Sequence, residues 1–383
     1  MLDQPRVSHD RLPELDGFRA IAILMVFAVH LVYATPIKDE LAATLHPILR
    51  FFVSHGWLGV DLFFILSGLL ITGILLDARG SPRFFRNFYI RRALRIMPLY
   101  YACIVVMAFF YRGHGDYFGI STIFLSNYAY GLGILTPNGP GVFWSLAVEE
   151  HFYLLWPLIV FRSSEKSLAI VCIVIVAATP ILRGIAAYIG MEPEMAIYEY
   201  SQFRFDGLAL GALLAIWIRS GIFNRRGAFW LTGLLMSIVA IMTVVGRKYG
   251  ILEPKTIVST ALRYTQAQFM FAAALVLALA YRQTALTKPL RSKFLKFIAG
   301  VSFCVYLVHL AIMNAYEYIV ARLAVDELAL FGPFGTLALR TFVIGAATLM
   351  VAVLSKKYLE EPFLALKERI APSGALRQIQ PAT

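Results

Sequence analysis

The chain has 383 residues, 59% hydrophobic and only 15% charged, against roughly 45–50% and about 25% for a soluble domain. That balance excludes an ordinary soluble domain and points to a polytopic membrane protein. The formal charge of +12 would suit a nucleic-acid partner, but no basic, aromatic-interleaved module is present; in a membrane chain it marks cytoplasmic loops.

A spanning helix needs about 20 mostly apolar residues. The first predicted span, about 17–35, holds "FRAIAILMVFAVH", with ten residues and none of them polar between Arg19 and His30. On a helix the two are eleven steps apart, three turns on and on nearly the same face, about 16 Å in depth. Arg19 would sit at the cytoplasmic interface, either as a snorkelling anchor or as a working cation. His30 would sit near the bilayer middle, as a packing histidine or as a group that takes a proton near neutral pH. The run is long and no small-residue cleavage site follows, so it is expected to stay as an anchor.

Residues 41–55 read as an interfacial or re-entrant piece. The second span, about 57–77, carries Asp61 near its outer end. "FYIRRALRIMPLYY" places Arg91, Arg92 and Arg95 just before the third span, about 95–112. The triplet serves either topology or phosphate, which arginine forks bind bidentately. Residues 117–131 form another short piece. The fourth span, about 142–161, carries Glu149 and Glu150, with Ser145, Glu149 and Tyr153 on one face at four-residue spacing. A fifth span follows at about 167–189. The sixth, about 203–219, carries Arg204 and Asp206; the seventh and eighth lie at about 228–246 and 261–282. The ninth, about 297–321, places Tyr306 and His309 on one face, and the tenth covers about 332–355.

The fold expected is all-α and polytopic, with about ten transmembrane helices. One transmembrane domain occupies 1–360 and a short tail 361–383. With the N-terminus inside, inner segments carry about twice the lysine and arginine of outer ones, which places both termini in the cytoplasm. Cys103, Cys172 and Cys304 lie in apolar runs without ligand spacing, so neither a disulfide framework nor a metal site is expected. No phosphate-binding glycine motif is present. A single buried polar group is ordinarily an interhelical contact. Five helices that each contribute costly groups point to function.

Together these stretches resemble the acyltransferase-3 family of integral membrane O-acyltransferases. The resemblance runs in order through "LDGFRAIAILMVFAVH", "GVDLFFILSG", "FYIRRALRIMPLYY", "FWSLAVEEHFYLLWP", "FRFDGLALG", "SFCVYLVHL" and "KKYLEEPF". The family's Arg-ten-residues-His motif falls on Arg19 and His30, and its arginine motif on Arg91, Arg92 and Arg95. Its aromatic-acidic motif falls on Trp144, Ser145, Leu146, Glu149, Phe152 and Tyr153. The resemblance implies an acyl-CoA donor, usually acetyl-CoA, as co-substrate with no permanently bound cofactor. It implies a glycan or glycolipid hydroxyl as acceptor, a multi-pass place in the bacterial inner membrane among its lipids, and no nucleic-acid partner. A fused SGNH esterase-like domain, which some members carry, is not expected in the about 28 residues after the last span.

On that reading Arg91, Arg92 and Arg95, with Arg19 near, hold the CoA phosphates. The thioester is brought towards His30 as general base, with Asp61 or Glu149 orienting its other ring nitrogen. Trp144, Ser145, Tyr153, Arg204, Asp206, Tyr306 and His309 support the acceptor side. A covalent acyl-enzyme is less favoured, because Ser145 has no evident base partner. The rival reading is a proton-coupled transporter or flippase for a glycolipid, since buried His, Asp and Glu also suit a proton relay. It lacks visible inverted repeats and gives the arginines no role.

Overall fold

The computed structural model of the chain describes residues 12–191, 194–251, 253 and 256–372, and it contains helices and no strand among them. Helix α1 (Pro13–Tyr33) opens on a proline, where the missing N–H costs nothing, and has Glu14 and Asp16 in its first turn, where the helix dipole favours them. Helices α2 (Lys38–Thr44) and α3 (Pro47–Ser54) form the short segment expected at 41–55. None of α3 is buried and its phenylalanines Phe51 and Phe52 face outward, the character of a helix lying in a membrane surface.

Then come α4 (Gly59–Ala78), α5 (Phe84–Phe110), α6 (Gly115–Ser121), α7 (Phe143–Arg162) and α8 (Glu165–Tyr188). They are followed by α9 (Glu194–Glu199), α10 (Phe205–Arg219), α11 (Arg225–Arg247), α12 (Ile257–Ala280), α13 (Lys293–Arg322), α14 (Glu327–Ser355) and α15 (Glu361–Ile370). The ten predicted spans correspond to α1, α4, α5, α7, α8 and α10 to α14. One of their bounds is a correction. Helix α5 begins at Phe84, so the arginine triplet lies inside it; Phe84 and Phe88 are buried and carry the helix on below the expected start. The expected tail opens with α15, packed on α5, while 1–11 and 373–383 lie outside the described residues.

Polar pins tie the helices together at both ends. At one end, where α1 begins, Asp77 pairs with Arg219 at 2.9 Å and Arg79 donates to the Val160 carbonyl at 2.8 Å. At the far end Arg204 pairs with Asp61 at 2.9 Å, Arg183 with Asp206 at 2.8 Å, and Arg340 donates to Thr35 at 2.7 Å. Between the ends α4 and α10 pack closely. A Cβ on Gly68 would stand 1.9 Å from the Leu208 carbonyl oxygen, and one on Gly211 2.0 Å from that of Ile65. Only glycine allows so close an approach of two membrane helices.

Eight helical segments among the described residues are long and apolar enough to cross a membrane. The two further predicted spans, α7 and α10, fall short for physical reasons. Helix α10 is 15 residues long and buried on nearly every face, so it needs no lipid-compatible surface. Helix α7 turns Glu149 inward while Leu154, Leu155 and Leu158 face out. The outward surface elsewhere is apolar too, with Val105, Phe109 and Phe110 of α5 largely exposed. Such a belt is stable only against hydrocarbon, and the protein is an all-α polytopic membrane protein.

Candidate active site

A cavity of about 140 Å³ lies between α1, α4, α5, α7 and α13. Its lower lining is cationic: Arg19 from α1, Arg92 and Arg95 from α5. The three-residue spacing sets the two α5 arginines on one face. Arg19 is steadied by Asp16, one turn back, at 3.3 Å. Arg92 lies over the Tyr153 ring, 5.7 Å from its centroid. Arg91 is not in the lining. It points to the C-terminal helix and donates to the Ala371 carbonyl at 2.7 Å, beside Arg86, which donates to Ile370. The expected triplet is therefore a pair plus a helix clamp.

Midway up stands Glu149. Ser67 donates to one carboxylate oxygen at 3.0 Å and the Tyr153 hydroxyl to the other at 2.7 Å. The shared face read for Ser145, Glu149 and Tyr153 is the face that lines the cavity, and Glu150 is not in that lining. Farther along the lining the Ser145 Oγ and the Tyr306 hydroxyl are 2.6 Å apart. Phe63 packs edge-on against the Tyr306 ring at 6.0 Å.

Just beyond is a histidine pair. His30 Nδ1 and His309 Nε2 are 2.9 Å apart, and the His309 ring centroid is 5.9 Å from that of Tyr306. The proton positions follow from the partners. His309 Nδ1 faces two carbonyl oxygens, Tyr306 at 2.8 Å and Val305 at 3.1 Å, so it carries a hydrogen. Its Nε2 is then an acceptor, and His30 Nδ1 donates to it. The free lone pair of the couple is therefore on His30 Nε2. His309 is wholly buried, whereas His30 is half-buried. His30 sits in the last turn of α1, nearer the far end than the mid-bilayer depth expected of it, because α1 ends at Tyr33.

Two expected assignments are corrected. Neither Asp61 nor Glu149 is the partner of His30; His309 is. Glu149 is engaged by Ser67 and Tyr153. Asp61 is wholly buried in a separate network at the far end, held by Arg204 and by Gln268 at 2.9 Å. Asp206 accepts from the same Gln268 at 3.1 Å and from Thr265 at 3.1 Å, and pairs with Arg183. Trp144 is not in the cavity lining either: with Phe64, Tyr198 and Tyr264 it walls in the Arg204 guanidinium, whose nearest ring centroid, that of Tyr264, is 4.4 Å away. Two arginines and two aspartates balance, which is what makes their burial tolerable. Asp61, Arg204, Asp206 and Trp144 thus hold α4, α7, α8, α10 and α12 in register.

The sequence reading passes over Ser67, Arg183 and Gln268. Ser67 and Gln268 are single polar residues in apolar runs, a faint signal. Arg183 is an ionisable residue inside a span, which alone singles it out. Among the described residues no cluster of His, Cys, Asp or Glu could hold a metal ion.

The chain matches the acyltransferase-3 family, described as an acyltransferase domain, over residues 12–356. YrhL of Bacillus subtilis (strain 168) is 30% identical over 242 residues, covering 57% of this chain and 35% of that protein. The peptidoglycan O-acetyltransferase OatA of Listeria monocytogenes is 30% identical over 234 residues, 55% of this chain and 35% of the relative. The O-acetyltransferase OatA of Staphylococcus aureus is 27% identical over 238 residues, 54% of this chain and 35% of the relative. The chain thus spans about a third of the length of these relatives. No solved structure matches it.

Proposed function

This chain belongs to the acyltransferase-3 family, and from that premise we propose that it transfers an acyl group, acetyl in the first instance, from acyl-CoA to a hydroxyl of a cell-envelope glycan or glycolipid. One observation carries the reading: a single cavity is lined both by arginines and by a pair of hydroxyls that abut a histidine pair. Arg92 and Arg95, with Arg19 across from them, receive the CoA phosphates, since arginine forks match phosphate oxygens. The pantetheine arm follows the cavity past Glu149 and delivers the thioester to the Ser145–Tyr306 end. His30 Nε2 is the general base for the acceptor hydroxyl, which approaches from the far end. His309 holds the His30 ring in the tautomer this requires. The acceptor class is taken from the three relatives, all of which are named for O-acetyl transfer, two of them to peptidoglycan.

The test is release of free CoA by the purified protein given acetyl-CoA and candidate glycans. General-base catalysis contributes on the order of 10²–10⁴ in rate, so His30→Ala should lose that much and still bind acetyl-CoA. Glycan movement across vesicles without CoA release would overturn the reading in favour of a carrier.

A further inference from the structure

We propose that the Tyr306 hydroxyl is the oxyanion donor of the transfer step, with Ser145 as its switchable partner. The proposal rests on the acyl-CoA reading and adds to it a group aimed at the thioester carbonyl. Both hydroxyls line the cavity that Arg19, Arg92 and Arg95 also line.

A count of their hydrogens explains why the pair can serve. The two oxygens are 2.6 Å apart, and Ser145 Oγ is also 3.3 Å from the Val142 carbonyl oxygen. When Ser145 donates to Val142, Tyr306 donates to Ser145 and nothing points into the cavity. When Ser145 instead donates to Tyr306, the Tyr306 hydrogen is left over and is free to meet a carbonyl oxygen there. The exchange gives up only the longer bond. Val142 is not orphaned, since as the residue before α7 its carbonyl lies where the first intrahelical bond is accepted. An arriving thioester thus finds a donor without any buried polar group losing its last partner.

The ring is held by Phe63 and stands one turn from His309 on α13. Tyr306 also supplies, through its own carbonyl, the 2.8 Å bond that fixes His309. One helical turn therefore carries both the donor for the developing negative charge and the anchor of the base. In the step itself the acceptor oxygen bonds to the carbonyl carbon and the carbonyl electron pair moves onto oxygen, opposite the Tyr306 hydrogen. The pair then returns and the C–S bond breaks. The acceptor proton passes to His30 Nε2 and on to the departing thiolate.

Loss of one such donor costs roughly 10²–10³ in kcat. Tyr306→Phe keeps the ring and its packing, so it should lower kcat for CoA release about 100-fold or more with acetyl-CoA affinity within twofold of wild type. Ser145→Ala should cost less, since a lone Tyr306 hydroxyl still donates. A second measurement needs no acceptor. A trifluoromethyl-ketone analogue of acetyl-CoA, present as its tetrahedral hydrate, should bind the wild type more tightly than the plain ethyl thioether of CoA. Tyr306→Phe should erase that preference. If the variant keeps it, or turns over within fivefold of wild type, the Tyr306 assignment falls and the acyl-CoA reading stands. If the wild type binds no CoA thioether at all, the acyl-CoA reading falls with it.

Discussion

At the scale of the residue, a base is defined by which of its nitrogens is free. His30 has Nδ1 committed to His309, and His309 has Nδ1 committed to the carbonyls of Val305 and Tyr306. Under the proposed function His309 is a positioning residue, and its substitutions should separate by hydrogen-bond chemistry. Glutamine offers a carbonyl oxygen that can accept from His30 Nδ1; leucine of similar bulk offers nothing. His309→Gln should therefore retain about ten times the turnover of His309→Leu, with acetyl-CoA binding unchanged in both, since a hydrogen bond of this kind contributes on the order of 1 kcal/mol. Equal turnover in the two variants would show that His309 only fills space. The sequence made His30 legible through its apolar run and the motif that run completes. Its partner was not legible in the same way. His309 lies 279 residues away, and helix-face arithmetic relates residues within one helix only. Sequence alone therefore points to carboxylates as the partner, and the geometry replaces them with His309.

At the scale of the element, α5 shows how a motif divides its labour. Arg91, Arg92 and Arg95 read as one patch because they are near in sequence. The helix turns Arg92 and Arg95 into the cavity and Arg91 to the carbonyl end of α15. Helix C-termini hold unsatisfied carbonyls with partial negative charge, and a guanidinium is a fitting cap. Hydrogen bonds to charged groups contribute about 1.5–3 kcal/mol. Arg92→Ala combined with Arg95→Ala should therefore weaken acetyl-CoA binding at least tenfold, whereas Arg91→Ala should leave it within about threefold and loosen α15. Calorimetric affinities, together with protease cleavage near residue 370, check both halves. A loss of donor affinity in Arg91→Ala as large as in the double variant would return the triplet to a single clamp. Span existence was legible for α1, α4 and α5 because lipid-facing helices must be apolar. It was weakest for α10, whose few outward faces leave hydropathy little to record.

At the scale of the whole molecule, the bundle is polarised along its axis. The cavity is lined by Arg19, Arg92 and Arg95, and His30 lies in the last turn of α1, toward the other end. The proposed arrangement faces the arginine end to the cytoplasm, in keeping with the larger share of lysine and arginine that the sequence reading gives the inner segments. A charged CoA cannot cross hydrocarbon, because its phosphates would be stripped of water at prohibitive cost. Under the proposed function the cavity would remove that need: only the thioester would travel, along a path lined by Ser67, Glu149 and Tyr153, while the phosphates would stay with the arginines. The acceptor of the proposed reaction would approach His30 from the opposite side and would not share that entrance. Transfer should accordingly be sided. In inside-out vesicles holding the protein and its glycan, acetyl-CoA added outside should release CoA at the rate seen in detergent. In right-side-out vesicles the same addition should release essentially none until the membrane is permeabilised. The labelled acetyl group should then be found on glycan at the face away from the added donor. Equal release from both vesicle types would mean that the donor reaches the His30 end directly. The arginine-lined cavity would then have lost its purpose.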